Sequence, residues 1–273
     1  MPTPALGLLL VLPALAVILL LFVVPLAASV AGAFEVGGGF GFGNFIKTFE
    51  LYTSDIVFTL MIVSLSTAII GALALAIGGY LTLGENPRAV ALLRWLYRWP
   101  MFVPFIVVGQ VLRTFLAKNG LMNNVLIGAG LITPMEAASF LDWRGIVIAF
   151  VWKQAPFVAL LVAGAMASVD RGTLEAARNL GASRLRILLE ILVPQVAGTL
   201  MVALVLSFVT MMSVLSVPLM INAQSPTMIT ADIAFRINAY GDYGVANALG
   251  VVSLIASAGV AWLYLRHSVK ERA

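Results

Sequence analysis

Six long apolar stretches constrain the fold of this 273-residue chain more than any other feature of its sequence. Each provides the roughly 20 apolar residues that a helix needs to cross the hydrocarbon core of a bilayer. They lie at about residues 5–33, 56–83, 96–117, 145–169, 196–221 and 245–265. We therefore predict an all-α, polytopic membrane protein in which a single transmembrane domain with six helices fills residues 1–273.

Composition supports an integral membrane protein. Charged residues make up 10% of the chain, against roughly 25% in a soluble domain, and the mean hydropathy is +1.06. The chain has no cysteine, which excludes disulfides, thiolate metal sites and cysteine nucleophiles. Its single histidine, His267, lies in a basic tail, so no histidine-based metal cluster is expected. The pI near 9.6 is attributed to basic residues beside the spans and not to binding of nucleic acid.

The first apolar stretch is interpreted as a retained span and not as a secretory signal peptide. It lacks a basic start, and its apolar run is much longer than the roughly 7–15 residues of a signal sequence. Pro13 and Pro25 are the two positions where we expect this helix to bend.

The distribution of lysine and arginine predicts that both termini are cytoplasmic. With the N-terminus inside, ten basic residues lie in inner loops and the tail: Arg88, Arg94, Arg98, Arg171, Arg178, Arg184, Arg186, Arg266, Lys270 and Arg272. Four lie in outer segments: Lys47, Lys118, Arg144 and Arg236. The remaining two, Arg113 and Lys153, fall within predicted spans.

Three connectors carry further predictions. The outer segment Phe34–Asp55 is rich in glycine and aromatic residues and is predicted to contain a short interfacial helix at about Asn44–Phe49. The inner segment Gly84–Arg94 is predicted to be a short, basic loop. The sequence Gly120–Asn124 is a turn-forming cluster in the second outer segment.

The most informative segment is the charged one between the fourth and fifth apolar stretches. Thr173 is predicted to cap a short helix, and Glu175 in its first turn suits the positive end of the helix dipole. Gly181 permits a backbone conformation that residues with a β-carbon disfavour. A second helix is predicted to start near Ser183 and to end at Pro194, because proline has no N–H and disfavours helix in the preceding residue. These features predict a polar helix–turn–helix on the cytoplasmic face.

Residues 175–194 read EAARNLGASRLRILLEILVP. This segment resembles the cytoplasmic EAA loop that permease subunits of bacterial binding-protein-dependent ABC importers present to their ATPase. The resemblance depends on the spacing of the Glu-Ala-Ala triplet, the glycine and the proline. The matching positions are Glu175, Ala176, Ala177, Gly181, Ala182, Ser183, Leu192 and Pro194. The alternative is an amphipathic interfacial helix of the kind found in many membrane proteins.

The resemblance implies the type I ABC importer permease fold, with residues 170–194 as a cytoplasmic coupling loop. It implies that the chain forms half of a translocation pathway in a bacterial cytoplasmic (inner) membrane. The expected partners are two ATP-binding subunits that hold ATP and Mg, a second permease (a different chain or an identical copy), a periplasmic or lipid-anchored substrate-binding protein, and membrane lipid. The residues assigned to ATPase coupling are Glu175, Ala176, Ala177, Arg178, Leu180, Gly181, Ala182, Ser183 and Pro194.

The sequence contains no GxxxxGK[ST] phosphate-binding motif. ATP hydrolysis is therefore expected on a partner chain, with no cofactor on this one, and the chain is not expected to be an enzyme. Two other functional classes remain open. An ion-coupled secondary transporter usually needs buried carboxylates or broken helices near the midplane, and a structural subunit of another membrane complex would not explain the EAA spacing.

The cargo is predicted only as a small polar or charged solute. The LGAS sequence after the triplet and the segment at about 218–244 resemble most the branch of the family that imports polyamines, iron(III) and phosphonates. However, no acidic residue lies within a predicted span, whereas a polyamine is expected to meet carboxylates or aromatic faces. Lys153 either forms an electropositive pathway for an anion or zwitterion such as a phosphonate, snorkels to the outer headgroups, or pairs with Gln154 and backbone carbonyls.

A stripe of small polar residues in the fifth apolar stretch also bears on the pathway. Such residues either line the pathway or mediate ordinary helix packing in lipid. The candidate pathway-lining residues are Lys153, Gln154, Ser207, Thr210 and Ser213. No metal site is predicted.

Overall fold

The structure, a computed structural model, describes residues 4–270, with side chains from Val11 to Trp262. The predicted cytoplasmic tail, with Arg266, His267, Lys270 and Arg272, lies outside these described side chains. The α-helices are α1 (Pro4–Ile18), α2 (Val24–Ala33), α3 (Gly43–Leu83), α4 (Pro87–Leu96), α5 (Phe105–Leu116), α6 (Leu121–Gly128), α7 (Trp143–Ala167), α8 (Arg171–Asn179), α9 (Arg184–Ile187), α10 (Val193–Met212), α11 (Ser216–Ile221), α12 (Ile229–Phe235) and α13 (Tyr243–Lys270).

The described residues contain five helical stretches that are long and apolar enough to cross a membrane. These are Val11–Ala33, Gly43–Leu83, Trp143–Ala167, Arg184–Met212 and Tyr243–Trp262. A bent pair, Pro87–Phe102 and Phe105–Gly128, adds a sixth span if its two arms are counted together. The predicted all-α, polytopic architecture is confirmed.

The described residues group into two compact units. The chain up to Ser54 and Asp232–Ala256 form one unit, whereas Asp55–Ala231 and the chain from Ser257 form the other. In the larger unit α7 packs against α5, α10 and α11, and Ile146, Phe150, Val158, Val162 and Met166 of α7 are buried. In the smaller unit, the guanidinium group of Arg236 on the π-turn after α12 donates to the Tyr52 hydroxyl and lies 3.5 Å from Asp242.

Helix α3 is a single helix of 41 residues. The prediction of a separate interfacial helix at Asn44–Phe49, followed by a span from residue 56, is therefore wrong. No glycine or proline occurs between Asn44 and Ile70, so nothing in the sequence ends the helix there. At 1.5 Å per residue α3 is about 60 Å long, twice the thickness of the hydrocarbon core.

The glycine-rich connector before α3 forms a small hairpin that the sequence analysis did not predict. Strands β1 (Glu35–Val36) and β2 (Gly39–Phe40) are antiparallel. Gly37 and Gly38 between them have φ values of +58° and +84°. A two-residue turn with positive φ at both positions matches the twist of a hairpin, and glycine adopts it at low cost.

The third span is not one helix, and the segment predicted as the loop Gly84–Arg94 is mostly α4. The Asn86 side chain caps this helix by accepting from the backbone N–H groups of Arg88 and Ala89. A 3₁₀ turn, Trp99–Phe102, continues α4. Val103 and Pro104 are then extended, because a residue before proline is disfavoured in the helical region. The two arms meet at 105°.

The cluster Gly120–Asn124 begins α6 and is not a turn throughout. Gly120 precedes the first helical residue, and the buried Asn123 amide donates to the carbonyl groups of Ala117, Lys118 and Ala138 at 3.3, 2.9 and 2.8 Å. Asn123 therefore joins residues 117–118 to Ala138 from inside α6.

Two prolines predicted to bend or end helices lie inside continuous helical segments. Pro25 follows a π-turn at Leu19–Val23, and Pro194 follows one at Leu188–Leu192. In each π-turn the N–H of the residue before the proline donates to the carbonyl five residues earlier. The Val24 N–H donates to the Leu19 carbonyl, and the Val193 N–H donates to the Leu188 carbonyl. This wider turn lets the chain continue past a residue that has no N–H of its own.

The fifth span consequently differs from its prediction at both ends. The predicted end of a helix at Pro194 is wrong, since one helical segment runs from Arg184 to Met212. The predicted continuation to residue 221 is also wrong. Ser213–Leu215 break the helix before α11.

Asp55 anchors the connector before α12 to α3 inside the larger unit. Its carboxylate is buried and accepts from the Thr227 backbone N–H at 2.7 Å and from the Ser225 hydroxyl at 3.1 Å. One turn later, the Thr59 hydroxyl accepts from the Ile229 backbone N–H at 2.9 Å. Asp55, which the sequence analysis assigned to a connector, is thus a buried helix residue that orders residues 225–229.

We predict that Asp55→Ala lowers the free energy of unfolding by about 1–3 kcal/mol, because the Thr227 N–H loses its acceptor in a buried position. Thermal unfolding of the purified chain in detergent measures this effect. Glu50→Ala, at an exposed position of the same helix, is the control and should change little. Equal melting temperatures for the two variants would contradict the anchoring role.

Candidate coupling site

Helix α8 begins at an Asp170 cap. The Asp170 carboxylate accepts from the Thr173 backbone N–H at 2.9 Å and from its hydroxyl at 3.1 Å, and the backbone N–H bond holds the pKa of this carboxyl below its usual range. The predicted cap, Thr173, is therefore wrong by three residues. Glu175 lies beyond the first turn, since α8 starts at Arg171. The Asp-x-x-Thr sequence indicates the Asp170 cap, because an N-cap side chain accepts from the backbone N–H of the third residue of the helix.

One side chain holds α8 against the protein. Leu174 is buried, whereas Glu175, Ala176 and Arg178 are exposed and Ala177 is half-buried. The helix therefore presents a small, charged face to the outside. Because alanine side chains extend little from the backbone, a partner surface can approach this face closely.

The turn after α8 is closed by two backbone hydrogen bonds. The Ala182 N–H donates to the Ala177 carbonyl at 3.0 Å, and the Gly181 N–H donates to the Arg178 carbonyl at 2.9 Å. Gly181 has a φ of +80°. This is the Schellman arrangement for ending a helix, and its left-handed residue is usually glycine. The special backbone conformation predicted at Gly181 is confirmed.

The second helix starts where it was predicted. Ser183 caps it by accepting from the Arg186 backbone N–H at 3.3 Å. Arg184 forms an ion pair with Glu85 after α3, and Arg186 pairs with Glu190 at 2.8 Å. Ile187 and Leu192 are buried. The second arm of the helix–turn–helix is therefore the first part of the fifth span.

Apolar side chains are exposed around the turn. Leu180, Leu185 and Leu189 are 89%, 65% and 55% exposed. The exposed charged residues Glu175 and Arg178 precede them in the chain. A patch that combines exposed leucines with polar residues is typical of a protein-binding surface.

Lys153 does not lie free within its span. Its ammonium donates to the backbone carbonyls of Met101 at 2.6 Å and Pro100 at 3.2 Å, and it lies 5.6 Å from the centre of the Phe105 ring. These contacts favour the backbone-pairing alternative over an electropositive pathway. The neighbouring Gln154 is buried, and Arg113 donates to the Met220 carbonyl at 3.2 Å.

The predicted polar stripe divides between two environments. Ser207 is fully buried, whereas Thr210 and Ser213 are exposed. The Thr210 hydroxyl donates to the Leu206 carbonyl at 2.7 Å, and the Ser213 hydroxyl donates to the Thr210 carbonyl at 2.8 Å. The three side chains do not form one continuous surface on the chain. Among the described residues, no group of His, Cys, Asp or Glu side chains is arranged to hold a metal ion.

Comparison with known proteins agrees with this arrangement. Residues 74–270 match the family described as "Binding-protein-dependent transport system inner membrane component". The chain is 26% identical to the trehalose/maltose transport system permease protein MalF of Thermococcus litoralis over 96% of this chain and 92% of that protein. It is 29% identical to the spermidine/putrescine transport system permease protein PotB of Escherichia coli over 60% of this chain and 63% of that protein.

A solved structure shares the fold. A bacterial alginate ABC transporter, crystallised in complex with a periplasmic protein bound to an alginate pentasaccharide, contains a chain that superposes with a TM-score of 0.80. That match has 21% identity and covers 95% of this chain and 92% of the other. The family match extends through α8, the Gly181 turn and the whole fifth span. This chain therefore belongs to the binding-protein-dependent transport system inner membrane component family and is a permease subunit of an ABC importer, a transporter and not an enzyme.

Proposed function

We propose that this permease couples transport to ATP hydrolysis through α8 and the Gly181 turn. The proposal rests on how α8 is attached to the rest of the chain. The helix is exposed except for one buried residue, Leu174. The Schellman turn then joins α8 directly to the helical segment that forms the fifth span. If a partner moved α8, the displacement would be transmitted to the fifth span through the turn, because no flexible linker separates the two helices.

The proposed assembly contains this chain, a second permease, two ATP-binding subunits and a substrate-binding protein. ATP and Mg bind to the ATP-binding subunits, and α8 faces the cytoplasm together with both termini. The count of basic residues and the concentration of arginines around α8 support this orientation.

The proposed cargo is a polar solute of the sugar or polyamine class. Sugar permeases and polyamine permeases are both among the relatives, so the resemblance of LGAS to the polyamine branch does not separate the two. The buried Asp55 carboxylate, next to the second predicted span, is engaged by Ser225 and Thr227, so it is not available to a polycation. A neutral polar solute, such as an oligosaccharide, fits this chain better than a polyamine.

Screening of the cognate binding protein tests the cargo. The binding protein purified with this permease should bind a neutral oligosaccharide in calorimetry, and that solute should stimulate ATP hydrolysis by the reconstituted complex. Binding of spermidine or putrescine alone, with stimulation by them alone, would overturn the sugar assignment and leave the coupling proposal intact.

The first prediction for α8 concerns Gly181. A β-carbon at this position would have no atom within 4 Å, so a substitution is strained only by the φ of +80°. Gly181→Val should reduce transport-coupled ATPase activity on the order of tenfold, because a left-handed conformation costs such a residue roughly 1–2 kcal/mol. Gly181→Asn is the matched control, since asparagine tolerates this conformation, and it should retain most activity.

Each result for Gly181 has a distinct meaning. Loss in the valine variant alone supports the turn as the coupling element. Equal loss in both variants would mean that bulk against the partner, and not backbone conformation, is decisive. Wild-type coupled activity in Gly181→Val, or in Glu175→Lys, would contradict the proposed role of the loop.

A second prediction concerns Lys153. Lys153→Met should destabilise the chain by roughly 1.5–3 kcal/mol, because the Pro100 and Met101 carbonyls lose a charged donor. The preference of uptake for neutral over charged solutes should not change. Thermal unfolding and competition uptake assays measure the two effects, with Arg113→Met as a control for loss of an exposed cation. Altered charge selectivity at unchanged stability would instead place Lys153 in the pathway.

A further inference from the structure

A cavity lies behind α8, and two of the residues assigned to coupling, Glu175 and Arg178, are part of its lining. It has a volume of about 520 Å³ and is bounded by the ends of α3 and α7 together with α4 and α8. Four arginines line it: Arg94, Arg98, Arg171 and Arg178. Glu175 is the one carboxylate in the lining, so these groups carry a net charge of +3.

The positive charge of this cavity is not balanced by the protein. Within the part of the chain that the structure describes, none of the four guanidinium groups forms an ion pair. Arg98 donates to the Tyr97 hydroxyl at 3.3 Å and lies over the Tyr97 ring. Clustered guanidinium groups bind phosphate in a bidentate manner, and an anion here would relieve their mutual repulsion.

A second, apolar cavity of about 450 Å³ adjoins the first. Tyr97 lines both. The second cavity lies along α3 and α7, where its walls include Leu73, Ile77, Val151 and Ala155. A charged site that continues into an apolar groove matches a molecule with an anionic head and a hydrocarbon tail, whereas a free phosphate ion would use the first cavity alone.

Helix α4 indicates the depth of these cavities in the membrane. Four large apolar residues on one of its faces and the following turn are exposed: Leu92, Trp95, Leu96 and Trp99. Their spacing of three, four and seven residues places them on one side of a helix. Exposed tryptophans favour the headgroup level of a bilayer. Arg94 and Arg98, four residues apart and lining the arginine cavity, are then at the level of the lipid phosphates.

We propose that the two cavities together bind one anionic phospholipid, with its phosphate among the four arginines and one acyl chain in the apolar groove. Basic pockets between membrane helices on the cytoplasmic side are suited to such headgroups. The assignment of this lipid to the cytoplasmic leaflet rests on the proposed orientation, whereas its binding does not. Because Arg171 and Arg178 belong to α8, the bound lipid contacts the helix proposed to dock on the ATPase.

Native mass spectrometry of the full chain, purified in detergent with its associated subunits, tests the proposal. Phosphatidylglycerol and phosphatidylcholine with identical acyl chains are titrated in parallel. Phosphatidylglycerol should bind more tightly, and Arg94→Gln/Arg98→Gln should weaken its binding about 30-fold, on the basis of the typical contribution of two basic groups near a membrane surface. Arg88→Gln is the matched control, because Arg88 lies in the same helix but does not line the cavity.

A second variant examines the groove with the arginines intact. Val151→Phe should reduce phosphatidylglycerol binding without affecting weak binding of inorganic phosphate, since it fills the acyl-chain cavity alone. Equal binding of the two lipids, an unchanged preference in the double arginine variant, or phosphate binding with no lipid preference would overturn the proposal. A Val151→Cys chain that crosslinks to a second permease in native membranes would also overturn it, by showing that protein fills the groove.

The lipid result and the coupling result are independent. Lipid binding is measured without ATP, so it remains interpretable if Gly181→Val leaves ATPase activity unchanged. If both proposals hold, the double arginine variant should lose the stimulation of ATPase activity by phosphatidylglycerol while retaining basal activity in phosphatidylcholine.

Discussion

The contact between the Lys153 ammonium and the carbonyls of Pro100 and Met101 joins α7 to the bend of the third span, and the direction of α4 depends on that bend. A helix broken inside a membrane leaves backbone carbonyls without partners, and such groups are costly in an apolar environment. Lys153 donates to two carbonyls where the third span bends by 105°; the Pro100 carbonyl also accepts from the Val103 N–H at 3.2 Å. The bend turns α4 away from α5, which sets the direction of its tryptophans and arginines. An intramembrane cation therefore has a structural role here.

The prolines show how helices in this chain continue where their sequence suggests an end. Pro194 lies between the coupling loop and the membrane part of the fifth span, and the π-turn before it keeps the helix unbroken from Arg184 to Met212. Gly79 of α3 reinforces this arrangement, because a β-carbon there would come within 2.8 Å of the Leu188 side chain on the π-turn. A close, glycine-dependent contact at this level joins the start of the fifth span to α3. The proposed transmission of force depends on this continuous helix, which has no linker between Arg184 and Met212.

Helix α8 has two sides with different chemistry. Its outer side offers alanines and the exposed Leu180. Its inner side buries Leu174, and Arg171 and Arg178 reach the arginine cavity. A helix this short is not stable alone in water, so its position depends on the Asp170 cap and on the buried Leu174. The proposed anionic lipid would add contacts to Arg171 and Arg178 and so couple the position of α8 to the bilayer.

Much of the architecture follows from sequence, because the bilayer imposes a simple length and polarity requirement. The apolar stretches identified the membrane helices, and the spacing of Glu175, Gly181 and Pro194 identified the family. The Gly181 turn and the Ser183 cap were also predictable, since each depends on neighbouring residues alone. Where prediction was wrong, the reason was a contact or a local alternative that spacing does not show. Thr173 was predicted to cap the helix that Asp170 caps, and Pro194 was expected to end a helix that a π-turn continues.

What the sequence by itself determined is therefore the class of protein, its helical spans and the local geometry of the coupling turn. What only the tertiary structure decided is which partners the individual polar residues contact and whether they are buried. Lys153 binds the carbonyls of a bent span, Asp55 orders a distant connector, and Ser207 is buried apart from Thr210. The physical reason is that the partner of a buried polar group is set by which helices pack together. Local periodicity carries no information on contacts between residues 50 or more positions apart, such as Lys153 with Met101 at a separation of 52.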